Sequence, residues 1–164
     1  LGIVERYTLV PSNYFRQDKA REILSELFTL ESSDRIKYVE LPHYQAVLIF
    51  ALSSDEDPSY TPAVSDLLQV LPMVKEYNKI VVSYSGGYVH IAIAEADKLV
   101  FCNSFPAKEF ITAQYFIFAT IKEFQFNPEM STIYFRERLD FEEIENLLRY
   151  FRGVENISVL YNSK

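Results

Sequence analysis

The chain has 164 residues, and 23 acidic against 16 basic side chains give it a formal net charge of −7. This charge excludes a protein that binds nucleic acid through a basic surface, because phosphate neutralisation needs clustered lysine and arginine. No apolar run approaches the roughly 20 residues that span a bilayer, and the single cysteine, Cys102, cannot form an internal disulfide. We therefore expect an intracellular, cytoplasmic protein without a membrane span.

The front of the chain predicts three strands and one helix. In chain order these are a strand over 2–10, a helix over 12–28 capped by Ser12 or Asn13, and strands over 36–41 and 45–52. The last of these strands is apolar almost throughout, so we expect it to be central in its sheet and buried on both faces.

Residues 53–59, reading SSDEDPS, predict a boundary between a partial first sub-domain, 1–58, and a second sub-domain, 59–164. The acidic run from Asp55 to Asp57 lacks the alternating spacing of a calcium loop, so it indicates a solvated loop. A helix should then begin at Pro62, and Pro72 should kink or shorten it.

Residues 79–105 give the clearest pattern in the chain. Three runs rich in β-branched and aromatic residues are separated by Gly86-Gly87 and by Ala96-Asp97, which predicts a three-stranded antiparallel meander. The two glycines suit a type I′ hairpin turn, which needs positive φ at both central positions.

After the meander, the sequence predicts helices alternating with strands. In chain order these are a helix over 107–126, a strand over 131–135, a helix that begins at Asp140 with Glu143 in a capping box and ends at Gly153, and a strand over 157–161. The long helix is apolar around much of its circumference, which is typical of a helix buried between layers. This order predicts an α/β fold with a mixed sheet and helices on its faces.

The meander resembles a phosphate hairpin of the actin-like ATPase superfamily. Residues 81–93, VVSYSGGYVHIAI, align without a gap with the pattern VVDIGxGTTDIAV. Together with VPSNYF, YTPAVSDLL, KLVFCNSF and the helix over 110–126, they resemble an uncharacterised bacterial domain-of-unknown-function family of that superfamily. The resemblance implies two ribonuclease-H-like sub-domains. It also implies that the first phosphate hairpin lies before Leu1, so we expect the chain to be a fragment.

Several residues depart from the pattern that the resemblance supplies. Ser83 and His90 stand where the superfamily has acids, and Ser85 stands where it has its first glycine. Those acids place magnesium and the attacking water. The sequence over 134–138, YFRER, replaces the expected glycine pair of the adenosine pocket with bulky side chains.

The candidate binding residues are therefore a degenerate phosphate hairpin of Ser83, Ser85, Gly86, Gly87 and His90. The main-chain N–H groups of such a loop can cradle an anion, but a plain hairpin turn is the favoured interpretation. For His90 we expect a half-buried, hydrogen-bonded side chain beside Tyr88.

Other chemistry-bearing residues have simpler interpretations. Cys102 reads as a small core residue, and two histidines with one cysteine do not make a metal site. Arg136 and Arg138 flank Glu137 after a strand, where they either bind an anion or form surface ion pairs.

The resemblance implies a catalytically inactive actin-like ATPase relative, a pseudo-ATPase without a cofactor, that acts as a binding or scaffold module for a protein partner. One alternative is an ATPase or kinase-like enzyme that binds ATP with magnesium and is completed by an absent N-terminal segment. Another is a structural subunit of an envelope assembly, which rests on analogy alone.

Overall fold

The computed structural model describes residues 5–158. The chain divides into two compact units, Leu1–Ser65 and Asp66–Lys164. This division falls further along the chain than the boundary predicted after residue 58, within helix α2 (Ala63–Val70). As predicted, Pro72 shortens that helix, since a 3₁₀ turn over Leu71–Met73 follows its last residue.

The first unit is a three-stranded antiparallel sheet with a short helix against it. Its elements are β1 (Tyr7–Pro11), α1 (Ala20–Ser25), β2 (Arg35–Leu41) and β3 (Ala46–Leu52). The strand order is β1-β3-β2, and all seven residues of β3 are buried. The prediction of a central strand buried on both faces is therefore confirmed. Ala20 and Leu24 of α1 pack against alternate β3 side chains.

The predicted helix over 12–28 is wrong in extent. Before α1 the chain forms two 3₁₀ turns, Ser12–Tyr14 and Gln17–Lys19, with Phe15 extended between them. The N–H of Ser12 donates to the carbonyl of Gln45 at 2.9 Å, so pairing with the neighbouring segment continues past β1. That pairing excludes an α-helical start at Ser12, which instead begins a 3₁₀ turn.

The acidic loop of the first unit caps its own main chain. A carboxylate oxygen of Glu56 accepts from the N–H of Ser53 at 2.8 Å, and Asp57 accepts from the N–H and hydroxyl of Ser59, each at 2.8 Å. These local hydrogen bonds are typical of a structured turn.

The second unit is a five-stranded mixed sheet with two helices. Its elements are β4 (Asn78–Ser85), β5 (Tyr88–Glu95), β6 (Lys98–Pro106), α3 (Phe110–Glu123), β7 (Thr132–Phe135), α4 (Phe141–Leu148) and β8 (Gly153–Asn156). The order is β6-β5-β4-β7-β8. The first three strands are the antiparallel meander that the sequence predicts, while β7 runs parallel to β4 and β8 parallel to β7.

The core of this unit lies between one face of the sheet and the two helices. Ile117 and Ile121 of α3 and Leu147 of α4 pack there with alternate strand residues such as Val82 and Ile91. The expectation that α3 is buried around its circumference is wrong. The side of α3 that carries Ile111 and Tyr115 faces outward, because the sheet covers the helix on one side only; Ile111 is 70% exposed and Tyr115 68%.

The end of the unit departs from the prediction after α4 begins. Asp140 and Glu143 form the predicted capping box. The helix nevertheless ends at Leu148, and Gly153 begins β8 instead of stopping the helix. Glycine suits this position because a Cβ would lie 3.0 Å from the Thr132 hydroxyl of β7. Of the strand predicted over 157–161, residues 157 and 158 are helical, and residues 159–161 lie outside the described residues.

Candidate functional site, the hairpin beside Glu137

The turn between β4 and β5 has the geometry that its glycines require. Gly86 has φ +61° and Gly87 φ +80°, and a Cβ at either position would meet nothing within 4 Å. Ser85 pairs with Tyr88 across the turn. The main chain therefore makes a two-residue turn with both central φ angles positive, as a type I′ hairpin does.

A carboxylate lies against the last residues of β4. The Ser83 hydroxyl donates to Glu137 Oε2 at 2.5 Å, and the main-chain N–H of Tyr84 donates to Glu137 Oε1 at 2.7 Å. The hydroxyl oxygens of Ser83 and Ser85 are 3.5 Å apart. One side chain of the same chain thus accepts hydrogen bonds from the Ser83 hydroxyl and the Tyr84 N–H.

Parallel pairing of β4 and β7 positions Glu137. Val82 lies beside Phe135, and the N–H of Arg136 donates to the Val82 carbonyl at 2.9 Å, which extends the pairing by one residue. The next residue, Glu137, then reaches Ser83. The sequence interpretation named Glu137 only as the residue between two arginines and missed this role. The available signal was that parallel strands place their carboxyl ends at the same sheet edge.

His90 lies on β5 between Ser83 of β4 and Ser104 of β6. Its Nδ1 is 2.7 Å from the Ser104 hydroxyl oxygen, and its ring stacks on Tyr88 with centroids 5.9 Å apart. The predicted hydrogen bonding and the contact with Tyr88 are confirmed, but the side chain is more deeply buried than expected, at 2% exposure. This burial lowers the pKa of His90 to about 4, so the ring is neutral near pH 7.

The arginines after β7 do not act as a pair. Arg136 Nε donates to Asp66 Oδ2 at 2.5 Å. Of the two roles that the sequence allowed for the arginines, an anion site or an ion pair, Arg136 therefore has the second. Arg138 is exposed. An anion site built from both arginines is not supported by this arrangement.

Cys102 is half-buried on β6. Burial raises the pKa of its thiol to about 12, so the thiol stays protonated and is a poor nucleophile. In residues 5–158, no group of three or more histidine, cysteine, aspartate or glutamate side chains is arranged to hold a metal ion. Over the same residues, no helix has both the length and the apolar character to cross a membrane.

Residues 4–154 match a sequence family described as a protein of unknown function, DUF3822. The chain belongs to this family. The DUF3822 chain is also similar to a solved protein from Bacteroides thetaiotaomicron, described as having an actin-like ATPase fold and unknown function. The two are 16% identical with a TM-score of 0.74, over 96% of this chain and 66% of that one. No curated protein matches the chain.

The similarity confirms the predicted actin-like ATPase fold and the predicted membership in a family of unknown function. The DUF3822 chain spans 66% of the length of the Bacteroides protein. Ser83, Ser85, Gly86, Gly87 and His90 lie together where β4 ends and β5 begins. That these residues bind phosphate stays a prediction.

Proposed function

We propose that this DUF3822 chain is a catalytically silent module of the actin-like ATPase fold that binds a protein partner. The observation that carries the proposal is the Glu137 carboxylate, which accepts hydrogen bonds from the Ser83 hydroxyl and the Tyr84 N–H. A nucleotide phosphate at this hairpin would compete with that carboxylate for the same donors.

Electrostatic repulsion adds to this competition. Two unit negative charges about 4 Å apart repel by roughly 4 kcal/mol at an effective dielectric constant near 20. A hydrogen bond to a charged group contributes only about 1.5–3 kcal/mol. Phosphate binding beside Glu137 is therefore electrostatically unfavourable.

The two positions where the resemblance expects acids support the same conclusion. Ser83 and His90 face each other across β4 and β5, and both are buried. Neither can carry a negative charge, since a serine hydroxyl is neutral and an imidazole is either neutral or positive. Burial lowers the pKa of His90 to about 4, so it is neutral near pH 7. Neither side chain can replace a magnesium-directing carboxylate.

Exposed apolar side chains on the helices support a protein partner. Ile111 and Tyr115 of α3 are more than two-thirds exposed, and Tyr150, just after α4, is 55% exposed. Clustered exposed apolar residues commonly mark protein-binding sites.

One observation favours the alternative of a nucleotide-binding enzyme. Glu137 places a carboxylate beside the hairpin, and a carboxylate there could direct a metal ion and water. In that case Mg-ATP would bind through Glu137 instead of being excluded by it.

Thermal unfolding in the presence of Mg-ATP tests the proposal. A ligand that binds the folded state raises its stability by mass action, by about 2.7 kcal/mol at 100 times Kd. We expect no change in melting temperature at millimolar Mg-ATP. A clear rise that Gly87→Asn abolishes would contradict the proposal; asparagine tolerates positive φ, so this variant adds a side chain to the turn at little cost in folding.

A further inference from the structure

A groove of about 430 Å³ runs between α3 and the end of α4 on the side away from the sheet. Its lining combines apolar or aromatic side chains with polar ones: Ile111, Gln114, Tyr115, Phe118, Asn146, Arg149 and Tyr150. Phe118 is partly buried, and its ring contacts those of Tyr150 and Phe151 at centroid distances of 5.1 and 5.6 Å.

We propose that this groove binds one amphipathic helix of a partner protein, with its apolar face on Ile111, Tyr115 and Tyr150 and an acidic side chain on Arg149. The proposal rests on the protein-binding function proposed above and names the surface and the kind of partner.

The spacing of the groove residues favours a helix over an extended strand. Ile111, Tyr115 and Phe118 follow one another at helical intervals along α3 and form a ridge. Ridges of this kind pack against the grooves of another helix. An extended strand would instead need an open sheet edge, and the groove is lined by residues of α3, of α4 and of the two positions after α4, Arg149 and Tyr150.

The size of the apolar patch favours a single helix over a second copy of the chain. Ile111, Tyr115 and Tyr150 are 70%, 68% and 55% exposed. Because a large side chain buries about 150–250 Å², the three offer roughly 350 Å². A stable interface between whole proteins buries about 800 Å² on each side, of which about 450 Å² is apolar, so this patch alone is smaller. The net charge of −7 also opposes self-association.

The positive charge of Arg149 indicates which polar residue the partner helix should carry. Arg149 is exposed at the groove and makes no ion pair with another described residue. The other polar residues of the lining, Gln114 and Asn146, are uncharged. A carboxylate on the partner helix would form a charge-assisted hydrogen bond with this guanidinium. A basic helix would be repelled there.

Selection from a displayed library of amphipathic helices tests the proposal on the full chain. Peptides about 14 residues long, ~21 Å as a helix, match α3 in length. We expect enriched peptides to share apolar residues at i, i+3 or i+4, and i+7 together with an acidic residue. Tyr115→Asp should weaken their binding by at least about tenfold. Arg149→Glu should weaken the binding of acidic peptides. Changing the acidic residue of the peptide to lysine should restore binding to this variant.

Phe141→Asp is the matched control, because Phe141 is 75% exposed on α4 but does not line the groove. Its variant should bind the selected peptides as the wild type does. The proposal is overturned if no helical peptide is enriched, if Phe141→Asp weakens binding as much as Tyr115→Asp, or if sedimentation finds a dimer that Tyr115→Asp dissociates. None of these outcomes involves nucleotide, so they are independent of the Mg-ATP test.

Discussion

Glu137 and Ser83 are 54 residues apart in the chain, yet the serine hydroxyl donates to the glutamate carboxylate at 2.5 Å. The contact joins the segment after β7 to the end of β4, next to the turn. It occupies two donors beside the turn, the Ser83 hydroxyl and the Tyr84 N–H. The end of β4 is therefore held by a carboxylate of the same chain.

Removing the carboxylate should destabilise the second unit. Glu137→Ala leaves the Ser83 hydroxyl and the Tyr84 N–H without their acceptor, which should lower the free energy of unfolding by about 2 kcal/mol. Glu137→Gln keeps an acceptor oxygen and should cost less than about 1 kcal/mol. Urea denaturation of both variants measures the difference; equal losses would show that the hydrogen bonds are not what stabilises the contact.

The turn should tolerate only residues that accept positive φ. Gly86 has φ +61° with open space around it, so any cost of substitution comes from the backbone and not from a clash. Gly86→Val should lower stability by roughly 1–2 kcal/mol, and Gly86→Asn by clearly less. If thermal unfolding finds the two variants equally stable, the turn does not hold its left-handed conformation.

Stability should fall as pH drops from about 6.5 to about 4 because of His90. Its pKa is lowered by burial, so in this range the unfolded state binds a proton that the folded state does not. The loss is at most about 3 kcal/mol. The neighbours Ser83, Tyr88 and Ser104 carry no charge that would compensate. Denaturation at several pH values should show that the free energy of unfolding of His90→Gln changes less with pH than that of the wild type. An unchanged pH dependence would mean that other groups cause it.

A buried ion pair in the first unit should matter more than an exposed one. Asp34 is 5% exposed and accepts from Arg6 at 2.7 Å and from the N–H of Glu31 at 2.8 Å. The hydrogen bond from Arg6 lowers the pKa of Asp34, so its contribution is present above the ordinary aspartate pKa and is lost as pH falls through the lowered value. Asp34→Asn should cost about 2 kcal/mol, because hydrogen bonds to a charged group are weakened.

The control for Asp34 is Asp18, whose ion pair with Arg16 is about two-thirds exposed at both side chains. Asp18→Asn should change stability by less than about 1 kcal/mol. Chemical denaturation measures the free energy of unfolding of both variants. Similar losses of this free energy would mean that burial does not strengthen the Arg6–Asp34 pair.

The sequence predicted those elements whose local pattern and tertiary role agree. The meander, the buried β3 strand and the capping box at Asp140 were all visible, because β-branched runs, paired glycines and a cap act locally. The helix expected from residue 12 failed because pairing of Ser12 with Gln45, a tertiary contact, prevents helix formation there. β8 was missed because Gly153–Asn156 is a polar edge strand without an apolar pattern.

The candidate site was only half predictable. The glycine turn follows from local backbone preference, and the positions of Ser83 and His90 follow from strand alternation. The contact with Glu137 depends on which strand lies beside β4 and on how far that pairing runs, and neither can be read from spacing. The exposed stripe of α3 was misjudged because an apolar pattern does not say how many layers cover a helix.

Calorimetric titration of Mg-ATP into the full chain and into Glu137→Gln tests the central claim most directly. If Glu137 excludes phosphate, the wild type gives no binding heat, and any binding that appears does so only in Glu137→Gln, which lacks the charge. The opposite pattern, saturable binding to the wild type that Glu137→Gln abolishes, would contradict the account and make Glu137 a nucleotide-site residue.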